Sequence, residues 1–579
     1  MTKYAKCSVC GYVIAIPDDK NSSDYVCPND GNTLTDATKS EYDESTHIKG
    51  PYSAIVYKDG SSVYAEDANG TTIAEGEAGV DDASVIQSAI DIGGKIVLDE
   101  ETFIVSTPIS ITRDNVTLEG HGWSSTIKVA DGISESNYGA IRITGEETGH
   151  LKNIILRNFQ VDGNRDNQGA YETTPSAIDA VHVDYLLCEN LYIHHSMGDG
   201  ISDSGYYHWF INNHICNGRE HEIHLNGVDY AWVIGNYLHD DDKAVLILAH
   251  GGANHALIKG NILENAGVGC GLIVLAEDTS RKNDITIEGN ILKDSGGSLI
   301  EVWTNYTGLK IINNYITGTN SYAILMKSDG AIIRGNQIRS TPRGISVSSN
   351  NCIVSNNYLE DVKDYPMRLL GEQNLAVGNI LESCGGYSGH YPVYIGGSYN
   401  IFEHNIIGPL HENWVDAISV TGDHHIIRHN DLTHASKKTI IISATDTIIK
   451  ENKGFRTDTF KATSQSVEVG ISDSYGSAIN ITSPSGMVSS LSVCKIVLDG
   501  SFAGGEQVTV KVETNWESGN TAYVEKTYTA TGTNYLDLDG QDGLDLWRDS
   551  DTCTSIKLYA KSDQTSTSVT VTCDLAGTG

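Results

Sequence analysis

The chain has 579 residues, with 39 Lys and Arg against 75 Asp and Glu, and its formal net charge of −36 at pH 7 argues against nucleic acid as a partner, since phosphate binding needs a basic footprint. Only 7% of residues are aromatic, yet Tyr supplies 29 of them and Phe only 7, while Gly reaches 59, a balance that suits a turn-rich β protein with a wet, sugar-facing surface. No apolar stretch approaches the ~20 residues of a membrane span, and the length predicts several domains.

The amino-terminal MTKYAKCSVCGY has no apolar core for a signal peptide. Either a leader is missing from this sequence, or the protein is intracellular, or it is packed into a particle such as a virion; the working expectation is an extracellular or virion-associated protein. Residues 1–36 hold Cys7-x2-Cys10 and then Cys27-Pro-Asn-Asp30, close to the four-ligand spacing of a zinc ribbon or rubredoxin knuckle. Asp30 stands where a fourth cysteine belongs. Cys7, Cys10, Cys27 and Asp30 therefore either bind a structural zinc (or iron) or form a knuckle that has lost its metal, and a histidine from elsewhere is another choice of fourth ligand. Residues 37–76 read as a short β linker of two or three strands around a Lys-Asp-Gly turn. The one clear helix is expected from Ala83 to Ile90, closed by Gly93-Gly94 and followed by the strand KIVLDEETFIV.

Eleven asparagines then recur at Asn213, Asn236, Asn261, Asn290, Asn314, Asn336, Asn357, Asn379, Asn405, Asn430 and Asn452, nearly every one followed two residues later by Ile or Leu. Their spacing is too variable for a helical solenoid, and the segments are too sparse in Ala, Glu and Lys. In NNHI, GNYL, GNIL and NNYI an asparagine tolerant of left-handed backbone angles is expected at a bend, with the next apolar residue pointing inward. Coils stacked ~4.8 Å apart let each side-chain amide bond to the asparagines above and below. The pattern predicts an all-β chain with a right-handed parallel β-helix over residues 77–462. Cys188, Cys216, Cys270, Cys352 and Cys384 lie singly in different coils and read as small buried apolar residues, not disulfide partners.

The short helix, the Gly-Gly stop, KIVLDEETFIV and then VTLEGHGWSSTIKV at 116–129 resemble the amino-terminal cap and first coils of the pectate-lyase-like superfamily, which includes polygalacturonases, alginate epimerases and phage tailspikes. The resemblance covers roughly residues 77 to 460. It implies a polysaccharide partner, and because one scaffold hosts many chemistries it leaves three readings: a lyase or C5-epimerase of a uronate-containing glycan, a glycoside hydrolase, or a non-catalytic attachment spike. In residues 465–579 the ladder stops, and alternation in EQVTVKVETNW, AYVEKTYTATG and SIKLYAKS predicts a β-sandwich. Such a module would bind carbohydrate or, in the spike reading, organise a homotrimer.

Alternation carried from the ladder places Ile223, Ile300, Ile324, Ile345 and Met367 inward and their neighbours outward. One patch then gathers Glu301, Trp303, Lys327, Ser346 and Arg368, with Tyr322, Arg343 and Tyr365 at the entrance to the same strands. In a polysaccharide groove Trp303 would stack on a sugar, Arg343 or Arg368 would hold a carboxylate, and Lys327, Tyr322 or Tyr365 would carry protons, with Glu301 beside them. A second patch comes from HHSMGDGISD (194–203) and NGREHEIHLNG (217–227). Asp199 and His221 lie six residues beyond Ile193 and Ile215 and are expected one strand spacing apart, with Glu222 and His224 facing outward on the same coil. GDGI and then NGREHEI resemble the polygalacturonase pattern of Asn-Thr-Asp-Gly followed one coil later by Gly-Asp-Asp. Asp199 matches the first element, Glu220 and Glu222 replace the paired aspartates, and no Arg-Ile-Lys follows. Carboxylates so paired would support glycoside hydrolysis. HDDDKA at 239–244 and DGNRDNQ at 162–168 are loops whose oxygens could hold calcium. Charged residues at outward positions are equally the mark of a plain solvated face.

Overall fold

The computed structural model describes residues 3–9, 13–16, 20–26, 32–37, 51–133, 139–169, 175–241, 245–267, 269–276, 282–303, 306–385, 391–409, 417–435, 440–445, 447–453, 459–471, 474–481, 490–491, 494–502, 505–516, 521–536, 553–564 and 569–578. Two units divide the chain, Met1–Gly297 and Ser298–Gly579.

The first unit opens with a small antiparallel sheet in which Lys3–Lys6 pairs with Val13–Ile16 and Thr35–Ala37. Ala5, Cys7 and Leu34 form its core, while Cys10, Cys27 and Asp30 of the expected knuckle lie outside the described residues. Antiparallel strands Ala54–Asp59, Ser62–Asp67 and Thr72–Glu77 follow, then the helix Asp82–Ile90. Asp82 is fully buried in its first turn, where it accepts from the backbone N–H groups of Gly79 (2.8 Å) and Ile104 (2.6 Å) and pairs with Lys58 at 2.8 Å. From Gly94 onward the chain winds right-handed through parallel strands.

Both units contain coils of this β-helix, and each stacks apolar residues in register along its interior. In the first, Ile178, Ile201, Ile223, Ile247 and Ile273 pair in sequence; in the second, Ile300, Ile324, Ile345, Met367, Val393 and Ile418 do so. All are fully enclosed, each contributing roughly 2 kcal/mol of apolar burial. The carboxy-terminal strands of the second unit, from Thr459 on, form two five-stranded sheets. One hydrophobic cluster, with Ile496 and Val571 from one sheet and Val510 and Ile556 from the other, lies between them.

The asparagine side chains tie neighbouring coils together. In the first unit Asn236 Oδ1 accepts both the backbone N–H (2.9 Å) and the side-chain amide (3.0 Å) of Asn213, and Asn261 does the same for Asn236. In the second unit the pattern runs from Asn314 to Asn336, Asn357 and Asn379, and onward from Asn405 to Asn430 and Asn452. Every one of these asparagines is at most 2% exposed. The left-handed angle expected at the ladder asparagine belongs instead to the residue before it, such as Asn212 (φ 54°), Gly235 (φ 68°), Asn313 (φ 56°) and Gly335 (φ 68°). Turning the chain there aims the ladder side chain into the interior, which is why GN and NN dipeptides recur. The second unit also holds a shorter ladder that the sequence did not announce: Asn374 Oδ1 accepts from Cys352 N–H at 2.8 Å, and Asn400 Oδ1 from Asn374 N–H at 2.8 Å.

Asn357→Ala strips the acceptor from two buried N–H groups of Asn336, so equilibrium denaturation is expected to show a loss of roughly 2–5 kcal/mol. Asn357→Asp keeps the acceptor but loses the amide donation to Asn379 and to the Ile333 carbonyl, and is expected to cost at least as much, because it buries a charge in an amide ladder.

Candidate functional site

The strands Ile178–Glu189, Ile201–Ile211 and Ile223–Ile234 are the long ones of the first unit, lying side by side in parallel. Their inward residues fix which neighbours point out. Arg142, Asp179, Ser202 and His224 thereby form one outward row, a residue per coil, about 4.8 Å apart. Asp199 and His221 stand just before two of these strands, and the hydrogen bond from Gly200 N–H to the His221 carbonyl (2.8 Å) sets them side by side. A cleft of about 310 Å³ opens here, lined by Arg142, Asp179, Asp199, Ser202, His221 and His224 together with Glu220.

Asp199 is the centre of the cleft's hydrogen bonding and is only 6% exposed. Its Oδ1 accepts from His221 N–H at 3.0 Å and from His221 Nδ1 at 2.8 Å, and its Oδ2 accepts from His224 Nδ1 at 3.1 Å. Burial works to raise the Asp199 carboxyl, but the hydrogen bonds and charges of His221 and His224 outweigh it and bring it down to about 2. Because the carboxylate takes the Nδ1 hydrogens, each neutral imidazole presents Nε2 as a lone pair. His224 Nε2 is buried with no hydrogen-bond partner among the described residues. Asp179 is driven the other way: burial raises its carboxyl, Arg142 at 3.8 Å pulls it down, and the nearby Asp199 adds to the rise. The donor atoms of Asp199, His221 and His224 lie within 4.8 Å of one another, so this trio could also hold a divalent cation.

The expected neighbours Asp199, His221 and His224 thus come together, but Glu222 does not face outward with them. It is 0% exposed and accepts from Gly218 N–H at 3.1 Å. The reason is a corner at which alternation fails: the residue before each inward isoleucine is also enclosed, and Glu222 occupies the slot that Leu246 and Leu272 fill in the next two coils. Gly200 beside it leaves the room, since a Cβ there would meet Glu222 Oε2 at 3.2 Å. Arg142 and Asp179 were not anticipated, because the ladder begins at Asn213; one coil earlier Leu191 stands in its place, its N–H donating to Asn213 Oδ1 at 3.0 Å. Extending the register of Ile201 back to Ile178 would have found Asp179.

The other patch, in the second unit, is assembled and most of its charges pair within it, although Arg368 Nε is buried with no hydrogen-bond partner among the described residues. Glu301 and Arg368 do lie in one row, through Leu325 and the buried Ser346. Lys327 Nζ sits 3.5 Å from the Trp303 ring centroid and 3.8 Å from Glu301, so the indole face expected to meet sugar is covered. Arg343 pairs with Asp364 at 3.0 Å over the Tyr322 ring. Arg368 donates to Tyr322 Oη at 2.8 Å and stacks on Tyr365 and Tyr394, with 4.7 and 5.8 Å to the centroids. Burial and then Asp364 push the Tyr365 phenol up. Of the loops considered for calcium, Asp162 already pairs with Lys128 at 2.9 Å, and 242–244 lie outside the described residues.

The ionised Asp199 carboxylate supports the fold more at neutral pH than in acid. A carboxyl held at about 2, below its ordinary 3.8, stabilises the fold above pH 3.8, and that contribution is lost as pH falls through 2. Asp199→Asn is therefore expected to cost about 2 kcal/mol at neutral pH in denaturant titrations. The gap to the wild type should narrow when the same titrations are repeated at progressively lower pH.

Among solved structures, the A-module of mannuronan C-5 epimerase from Azotobacter vinelandii matches 64% of this chain and 96% of its own at 17% identity, with a TM-score of 0.40. A tailspike protein of E. coli bacteriophage HK620, solved with a pentasaccharide, matches 89% of this chain and 92% of its own at 12% identity and a TM-score of 0.49. An alpha-1,3-glucanase from Streptomyces thermodiastaticus matches 64% and 65% at 14% identity and a TM-score of 0.35. No curated protein sequence matches the chain. The family model of the right handed beta helix region matches residues 139–316 and 298–460, together more than half of the chain, and the protein belongs to that family.

Proposed function

We propose that this protein is a polysaccharide-acting enzyme whose cleft around Asp199 performs proton transfer on a uronate-containing glycan, as a lyase or C5-epimerase. The observation that carries this reading is the commitment of both Asp199 oxygens to imidazole Nδ1 atoms. So held, the carboxylate is a poor nucleophile and a good positioning group, and it leaves His221 Nε2 as the base. His221 removes the ring proton next to the uronate carboxylate. Arg142, exposed enough to exchange Asp179 for a ligand at the 3.8 Å pair, neutralises that carboxylate. In a lyase the electron pair forms the ring double bond, the glycosidic oxygen leaves, and Asp179 in its protonated form supplies its proton; in an epimerase the same acid returns a proton to the carbon from the opposite face.

A second reading, glycoside hydrolysis, is favoured by the split between Asp179, held above the ordinary carboxylate range, and Asp199, held below it. Two carboxyls pushed apart in this way suit an acid and an ionised partner. The net charge of −36 repels a polyanionic glycan, so on such a substrate added salt should raise kcat/KM by screening.

Incubation with a panel of uronate-containing and neutral polysaccharides separates these readings. Rising ultraviolet absorbance of unsaturated ends on a uronate glycan is the expected result, with kcat/KM at least ~100-fold lower for His221→Ala and the alkaline limb of the pH profile removed by Asp179→Asn. Reducing ends without absorbance would instead establish hydrolysis. The absence of both signals and of ring-proton exchange, with glycan binding intact, would overturn an enzymatic role.

A further inference from the structure

A second group of histidines lies on another sheet of the first unit. Its short strands Tyr192–His194, His214–Cys216 and Tyr237–Asp241 are parallel and in register, so Tyr192, His214 and Tyr237 form one row and His194, Cys216 and His239 the next. Ile193, Ile215 and Leu238 between them point inward and are fully buried, which puts both rows on the outer face. His214 Nε2 and His239 Nε2 approach to 2.8 Å, and one donor atom from each of His214, Cys216 and His239 lies within 4.8 Å of the other two. Cys216 is almost completely covered, 2% exposed.

We propose that His214 Nε2, Cys216 Sγ and His239 Nε2 form a binding site for a zinc-type divalent metal ion that links two adjacent coils. Two imidazoles and one thiolate are a donor set that zinc accepts, with a fourth position left for water. The surroundings orient the ligands as metal sites require. Asp240 turns back beside His239 through a left-handed backbone angle (φ 58°) and takes the His239 Nδ1 hydrogen at 2.6 Å. That leaves Nε2 unprotonated and aimed at the site, the carboxylate–histidine arrangement that supports bound metals. Asn265 of the following coil donates to the other Asp240 oxygen at 3.0 Å and fixes the carboxylate in turn. The rings are held by stacking: His214 between Tyr192 (4.6 Å) and Tyr237 (5.0 Å), and His239 on Tyr237 (4.3 Å). Burial and then the negative charge of Glu222 push the Cys216 thiol up to about 11, against hydrogen bonds from Asn217 and Tyr192, so a metal has to displace its proton, while the negative charges of Glu222 and Asp240 favour the cation itself. Tetrahedral ligands at ~2.0–2.1 Å lie about 3.3 Å apart, so the two nitrogens, at 2.8 Å in this structure, would separate by about half an ångström on binding. The neighbouring trio Asp162, His194 and His195 is a poorer candidate, since Lys128 already occupies Asp162 and Gln160 contacts His194 Nε2 at 2.7 Å.

Cobalt(II) reports on such a site through the thiolate-to-metal charge-transfer band and the intense visible bands of tetrahedral coordination. The full chain carrying Cys10→Ser and Cys27→Ser, which removes two of the three amino-terminal thiols and leaves Cys7 in the core of its small sheet, is expected to bind one cobalt with both signatures and to release it to zinc. Adding Cys216→Ser should abolish the charge-transfer band. Asp240→Asn should keep the band but weaken affinity about 10- to 100-fold, and His239→Ala, which leaves the thiol in place, should weaken it at least tenfold. Absence of the bands in the Cys10→Ser, Cys27→Ser chain, their survival in Cys216→Ser, or unchanged affinity in His239→Ala would overturn the assignment.

Discussion

Each ladder asparagine uses its whole side chain to hold the coil beside it. Within the column, as at Asn236, Oδ1 accepts two N–H groups from one neighbour, and the amide donates to the next Oδ1, of Asn261, and to the Phe210 carbonyl. Every polar atom in this column is buried, so a slip by one residue would orphan several of them and turn the inner isoleucines toward water. Coils of unequal length must therefore return to the same rung, and the extra residues are confined to the turns.

That constraint is what places the candidate site. Once Ile178, Ile201 and Ile223 are locked in register, Asp179, Ser202 and His224 cannot avoid one another, and the corner just before the strands brings Asp199 under His221. Burial then makes the arrangement electrostatically consequential. The same desolvation acts on both carboxyls, yet only Asp199 has imidazoles to compensate it, so the two are driven apart. The wall also hides a buried pair, His208 Nδ1 at 2.5 Å from Asp203 Oδ2, one residue along the strand from Ser202 and facing the opposite way. The other carboxylate oxygen, Asp203 Oδ1, is buried with no hydrogen-bond partner among the described residues, and burial raises this carboxyl.

Much of this was legible because period-2 alternation and the Asn–x–Ile pattern are local signals. The inward isoleucines and the adjacency of Asp199 and His221 follow from counting residues. Glu222 was misplaced because a corner packs two consecutive residues inward, a departure from alternation that no local pattern announces. The patch of Glu301, Lys327 and Trp303 shows a different limit. Position along a strand says that side chains share a face, but not that Lys327 will lie over Trp303 or that Arg368 will be sandwiched by tyrosines. Those contacts depend on rotamers chosen among neighbours on the same and adjacent coils. Asp179 and Arg142 escaped notice because their coils precede the first ladder asparagine, where Leu191 closes the column.

In the proposed function His221, steered by Asp199, takes a proton from a carbon next to a uronate carboxylate. Turnover of a uronate-containing polysaccharide in deuterium oxide, followed by NMR at ring carbon 5, tests this directly. The account predicts loss or solvent exchange of the hydrogen at that carbon by the wild-type protein and none by His221→Ala. Glycan turnover in which that hydrogen is retained would contradict it.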